Sequence, residues 1–281
     1  MIQDIAPRVF DPVYREKKPE PDDYVLHYSF NKVMLLRQGE TCRIPTFREL
    51  EGEGDWAAEA YYLFSIDGRA YYLNSERETP EFGDWVMEGL QIFRDFSPMY
   101  QAFAGITGSQ IYRWRQSRKF CGFCGRRTEI SHTERALVCP ACGHMEYPKI
   151  SPAIIVAVID RERDKLLMSR YAHGSYRRYA LIAGFVEVGE TFEACVHREV
   201  MEEVGLRVKN IRYYKSQPWA FSDTEMVGFV ADLDGDPYIR LQEEELSEAG
   251  WFSKDEIQEY PPYISVGHEM MRAFKEGRFD R

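Results

Sequence analysis

Glu199, Glu202 and Glu203 stand at i, i+3 and i+4 in a stretch with helical apolar periodicity. On a helix that spacing puts three carboxylates on one face within a turn. Like charges so close repel by roughly 0.2–0.5 kcal/mol per pair even when solvated. A divalent cation removes that penalty, and hard oxygen donors in this number suit Mg2+ or Mn2+ held beside phosphate groups. Phe192, Val196, Val200 and Val204 form an i, i+4 apolar stripe next to them, which predicts an acidic face at a cleft edge. Gly205 stands where a helix-terminating glycine is expected. The competing reading is an ordinary acidic amphipathic helix.

A second constellation is sulfur-based. Cys121, Cys124, Cys139 and Cys142 form two C-x2-C pairs separated by fourteen residues. Two such hooks close a tetrahedron of thiolates around zinc, with no position left for water, so this zinc is expected to be structural. Gly122, Gly125 and Gly143 follow the cysteines, where knuckle turns favour positive φ. Cys42 and Cys195 are expected to be small core residues. Around the hooks, Arg113, Arg115, Arg118, Lys119, Arg126 and Arg127 interleave with Trp114, Phe120 and Phe123. That pattern suits phosphates and stacked bases, and equally suits a solvated face beside a helix C-terminus.

The elements that position these groups follow from composition and pattern. A chain of 281 residues and 33.0 kDa is larger than most single domains. Its 44% hydrophobic and 14% aromatic content excludes a disordered chain. A net charge of -10 argues against non-specific wrapping of nucleic acid, though a local basic patch remains compatible with it. The apolar run Pro152 to Ile159 is too short to cross a bilayer. Met1-Ile2-Gln3-Asp4 has no charged-then-apolar leader, so a cytoplasmic protein without membrane association is expected. Tyr24–Tyr28, Lys32–Leu36, Ala60–Phe64 and Ala70–Leu73 read as strands. Pro98–Lys119 reads as a helix weakened by Gly105 and Gly108. Strands follow at 152–159, 165–169, 208–215 and 225–233, with a closing helix at 265–275, and Pro218 reads as loop. The expected division is a mixed N-terminal α/β domain over 1–118, the cysteine module over 119–147 and a C-terminal domain over 148–281.

The acidic stretch resembles the Nudix box, G-x5-E-x7-R-E-U-x-E-E-x-G-U with U a bulky aliphatic. Gly184, Glu190, Arg198, Glu199, Glu202, Glu203 and Gly205 fill its seven fixed positions, and Val200 and Leu206 its aliphatic ones. Such a match arises by chance on the order of once in 10^8 starts at ordinary residue usage. The resemblance implies an α+β chain: a Nudix α/β/α sandwich preceded by a four-cysteine zinc ribbon and a mixed, strand-rich N-terminal domain.

Over roughly residues 95–275 the chain is similar to the NADH pyrophosphatase branch of that family. The ribbon precedes the box, Tyr147-Pro148-Lys149-Ile150-Ser151-Pro152 resembles the branch's Y-P-R-x-x-P segment, and Ser216–Thr224 resembles its S-Q-P-W-P-F-P-x-S. Ala220 and Ser222 replace two prolines of that motif and Thr224 its final serine, changes that loosen or retune the pocket. Glu245–Trp251 resembles the branch's E-L-x-E-A-x-W, and Ser265-Val266-Gly267-His268 its S-I-A-H.

The resemblance implies hydrolysis of the pyrophosphate of NADH or NAD+ to AMP and nicotinamide mononucleotide. Glu199, Glu202, Glu203 and Glu245 would hold Mg2+ or Mn2+, with one glutamate, Glu203 favoured, as base and Arg198 orienting them. Tyr147 and Phe185 would stack on a ring of the dinucleotide, Tyr147 from the other copy of a homodimer. Ala183, Gln217, Pro218, Trp219, Ala220, Phe221, Ser222, Asp223, Thr224, Met226 and Gly267 would complete the substrate site. Two rivals stay open: removal of NAD caps from RNA 5′ ends, and a non-catalytic Nudix regulator that senses a nucleotide. The latter tends to lose box glutamates, and none is missing here.

Overall fold

The computed structural model describes residues 1–75, 77–78, 83–173, 178–259 and 261–280. The chain divides into two compact units, Ile2–Lys149 and Ile150–Arg281, the latter including Met1.

In the first unit, Phe10–Asp11, Tyr61–Ile66, Arg69–Leu73 and Tyr24–Leu26 form one four-stranded sheet in that order. A second sheet joins Tyr28–Ser29, Lys32–Gln38, Thr41–Arg43 and Trp85–Gly89. Helix α1 spans Met99–Ser117. The glycines that weaken it as a sequence are its packing surface. A Cβ on Gly105 would meet the Phe93 ring at 2.1 Å, and one on Gly108 would meet Leu26 Cδ1 at 2.5 Å. Helix propensity is sacrificed here for close approach to the aromatic core. The small sheet of Glu129–Ile130, Leu137–Val138 and Met145–Glu146 belongs to the cysteine module.

The second unit is built on Ser151–Asp160. This strand runs parallel to Thr224–Leu233 and antiparallel to Ile182–Phe185 at its start and to Lys165–Tyr171 at its end. Val208–Trp219 pairs outside Thr224–Leu233, and Leu246–Phe252 outside Lys165–Tyr171. Helices α2, Phe192–Val204, and α3, Val266–Lys275, cover the two faces. The continuous apolar run of the central strand reflects burial on both sides. Ile154, Val156 and Val158 join the cluster containing Cys195, Val196, Val200 and Val204 of α2. Ile155, Ala157 and Ile159 join the cluster containing Met270, Met271, Ala273 and Phe274 of α3. This is the α/β/α sandwich that the sequence led us to expect.

Two local expectations change. Pro218 is not in a loop: it lies in Val208–Trp219 opposite Glu225. That strand is at the sheet's edge, where a residue without an N–H costs no ladder bond. The α2 stripe is Cys195, Val196, Val200 and Val204, while Phe192 at the first helical position remains 37% exposed. Among the described residues no helix is long and apolar enough to cross a membrane.

Candidate active site

Helix α2 is fixed at both ends by local sequence. The Thr191 hydroxyl accepts from the Ala194 N–H at 3.1 Å, a side-chain N-cap. At the other end Gly205 takes φ +67° and donates to Met201 O. Two constraints meet at Gly205, because a Cβ there would also stand 2.9 Å from Arg240 Cβ. The segment pressed against it is tied to the end of α2, with Arg240 N–H donating to Val204 O and Gln242 N–H to Glu203 O. This segment leads directly into Glu245, whose backbone is held in turn by Gln242 O and by the Ala172 N–H. Backbone bonds of this kind leave no mark in the sequence, and the role of 240–242 was not legible there.

Arg198 organises the acidic face. Its guanidinium grips Glu190 through two bonds of 2.8 and 2.9 Å and donates to Glu199 at 2.7 Å and Glu202 at 3.0 Å. It also donates to Phe185 O at 3.0 Å. Arg198, together with the Glu187 N–H, holds Glu190 down at about 2, so Glu190 is a permanent anion that anchors the cation. Arg198 itself stays charged throughout.

Glu199 and Glu203 differ from the others in burial. They are 9% and 3% exposed on a helix face otherwise made of valine and cysteine. The carboxylate of Glu199 rests against Gly184, whose missing side chain makes the room. Burial raises the Glu199 carboxyl, with Arg198 opposing. Burial first, and then the charges of Glu199, Glu245 and Glu202, push Glu203 up to about 8. Glu203 Oε2 is buried and has no hydrogen-bond partner. Glu202 and Glu245 are exposed. The donor set therefore fits a hard divalent cation: carboxylate oxygens only, mutually repelling, one of them orphaned.

The four cysteines converge in the first unit. Their sulfurs all lie within 4.8 Å of one another, with Cys121–Cys142 at 3.7 Å and Cys124–Cys139 at 3.4 Å. A Zn–S bond of about 2.3 Å places tetrahedral sulfurs about 3.8 Å apart, so the set fits zinc. Gly125 and Gly143, both at φ +73°, donate to Cys121 O and Cys139 O in matching turns. Among the described residues this is the group of metal-capable side chains that converges so closely; the α2 carboxylates are spread wider. His144 stacks on Phe123 instead of joining the sulfurs.

The remaining expected site residues fall into three groups. Phe185 is 56% exposed, so its ring is available while its carbonyl anchors Arg198. Tyr147, in the first unit, is 54% exposed and its hydroxyl bonds Glu134. Pro218 and Ser222 are exposed, and Ala183, Trp219, Phe221, Asp223 and Met226 half-buried, with Trp219 and Phe221 rings 4.8 Å apart. Ala220 and Thr224 are buried, and Thr224 exchanges a 2.8 Å bond with Ser222 across the turn. Gln217 is wholly buried: its amide donates to Ile264 O at 2.8 Å and accepts from Val266 N–H at 2.6 Å. It clips the start of α3 to the hairpin. Gly267 lets α3 close on the central strand, since a Cβ would meet Ile155 Cδ1 at 2.9 Å.

Comparison with known families places both constellations. Residues 149–274 match the NUDIX domain, and residues 116–147 match the NADH pyrophosphatase zinc ribbon domain. The chain is 43% identical over 175 residues to a Chromobacterium violaceum protein called NAD-capped RNA hydrolase NudC, covering 62% of this chain and 65% of that one. A Haemophilus influenzae protein of the same name is 45% identical over 172 residues, covering 60% and 64%. One from Citrobacter koseri is 36% identical over 218 residues, covering 78% and 77%. The match thus spans slightly less than two thirds of the length of the first two relatives.

Proposed function

This chain belongs to the Nudix hydrolase family, in its NADH pyrophosphatase branch, and from that premise we propose that it hydrolyses the pyrophosphate of NADH or NAD+. The products are AMP and nicotinamide mononucleotide. The observation that carries this reading is the buried oxygen of Glu203 that has no hydrogen-bond partner, beside Glu199 on a face where Arg198 reaches Glu199 and Glu202 but not Glu203. Glu199, Glu202, Glu203 and Glu245 would hold Mg2+ or Mn2+. Bound there, the cation supplies charge neutralisation at the phosphates and a lowered pKa for the attacking water.

The chain's own groups do the rest. Arg198 keeps Glu199 and Glu202 facing together, and Glu190 fixes Arg198. Glu203, pushed up to about 8 by burial and by its acidic neighbours without metal, would be drawn to its ionised form by a cation bound beside it. Phe185 offers an exposed ring for stacking, and the Trp219–Phe221 pair stands at the hairpin tip beside the replaced prolines. A homodimer in which Tyr147 of one copy reaches the dinucleotide of the other belongs to the same proposal, as does a reducing, cytoplasmic setting that keeps the ribbon's thiols for zinc.

The test is to mix the protein with NADH and Mn2+ and identify products. AMP and nicotinamide mononucleotide are expected, and the Glu199→Gln/Glu203→Gln double variant should lose at least a hundredfold in rate. Turnover of other dinucleotides without any from NADH would reject the substrate. Nucleotide binding without turnover under either metal would favour the regulator. The names of the relatives favour a second substrate with the same bond, NAD-capped RNA. Release of a 5′-monophosphate RNA from a capped transcript tests it.

A further inference from the structure

The first unit holds a cleft of about 250 Å³ at the root of the zinc ribbon. Arg115, Lys119 and Arg127 line it together with an apolar floor of Leu73, Ile130 and Leu137. Glu59 and Glu129 also contribute, so three cations stand against two carboxylates in the lining.

These cations come from separate, fixed elements. Arg115 lies in the last turn of α1, its guanidinium 4.5 Å above the Tyr61 ring, and Tyr61 pairs with Leu73 across the sheet. Arg127 is on the ribbon, where it bridges to Phe120. Thr128 staples the ribbon to the chain leaving α1, its N–H donating to Lys119 O at 3.0 Å and its hydroxyl to Arg118 O at 2.7 Å. Cations near a helix C-terminus complement its partial charge of about half an electron. That accounts for Arg115 and Lys119 but not for Arg127, which the ribbon brings to the same cleft.

Cations beside apolar side chains, at this volume, match a phosphate joined to an apolar-faced group such as a base more closely than a bare anion. We propose that this cleft binds a nucleoside monophosphate, free or as one unit of a single-stranded nucleic acid, with the phosphate on the cations and the base over Leu73, Ile130 and Leu137. Every residue of the lining belongs to the first unit, and the proposal does not depend on the pyrophosphatase reading.

The experiment uses the full chain carrying Glu199→Gln and Glu203→Gln, so that hydrolysis does not enter. AMP, inorganic phosphate and a five-adenosine RNA are titrated by calorimetry, with amide hydrogen exchange read over 115–130. AMP should slow exchange there, and Lys119→Glu with Arg127→Glu should weaken its binding at least tenfold. The milder Lys119→Gln with Arg127→Gln should weaken it several-fold with zinc content unchanged, which separates the charge effect from misfolding. Tighter binding of the RNA, lost through the same substitutions, would identify a strand as the source; tighter AMP would identify the free compound. Phosphate binding as tightly as AMP, no protection over 115–130, or binding indifferent to both pairs of substitutions would each overturn the proposal.

Discussion

The carboxylate of Glu199 occupies the space in which a side chain on Gly184 would have to stand: a Cβ there would lie 1.9 Å from both Cδ and Oε1. Glycine at this strand position is therefore a steric requirement of the acidic site. It also explains why two residues fifteen apart in sequence belong to one motif. Gly184→Ala is expected to displace Glu199, weaken Mn2+ binding at least tenfold and lower kcat by a similar factor. Isothermal titration with Mn2+ checks this. Unchanged Mn2+ affinity would mean that Glu199 does not hold the ion.

Glu203 should behave as a group that costs stability for function. Its pKa in the folded, metal-free chain is about 8 against an ordinary 4.5. Its contribution is thus most favourable below about pH 4.5 and is lost as pH rises through about 8. Glu203→Gln should flatten that slope and stabilise the metal-free protein at pH 8 by about 1–3 kcal/mol, the usual cost of a buried unpaired polar group. Thermal melts at pH 5 and pH 8 with chelator present measure it. The same variant should no longer gain stability from Mg2+ or Mn2+.

Arg198→Lys keeps the charge but loses the fork that holds Glu190 while reaching Glu199 and Glu202. A drop in kcat of about 10–100-fold is expected, with KM for NADH changed much less. Steady-state kinetics decide. A loss confined to KM would place Arg198 against substrate instead of against the glutamates.

Gln217→Leu should damage the second unit's stability before its chemistry. Both ends of the amide are used inside the protein, so the substitution strands Ile264 O and the Val266 N–H. Each stranded group costs about 1–3 kcal/mol. A lowered urea midpoint with an exchange increase at 264–267 is the expected outcome. Retained stability with a raised KM would return Gln217 to direct substrate contact.

Zinc should be removable by mutation at one place only. Cys139→Ser should abolish bound zinc and the exchange protection of 129–146, because Cys139 is wholly buried among the four sulfurs. Cys42→Ser, at a half-buried position on Thr41–Arg43, should leave zinc content unchanged. Metal analysis of the two purified variants distinguishes them.

The sequence by itself determined the chemistry-bearing residues and the elements that carry them. Helical spacing joined Glu199 to Glu203, two C-x2-C hooks declared a sulfur site, and the apolar run at 152–159 declared a buried strand. Those signals are local, because a helix face, a knuckle turn and a strand period each lie within a few residues of chain. The tertiary structure decided what depends on neighbours distant in sequence. It showed that Pro218 sits on an edge strand, that Gln217 is turned inward to clip α3, that 240–242 docks on the end of α2 ahead of Glu245, and that Gly105 and Gly108 serve packing rather than weakness. Backbone hydrogen bonds and close approaches use groups that every residue has, so the sequence carries no separate sign for them; only the folded chain brings their partners together.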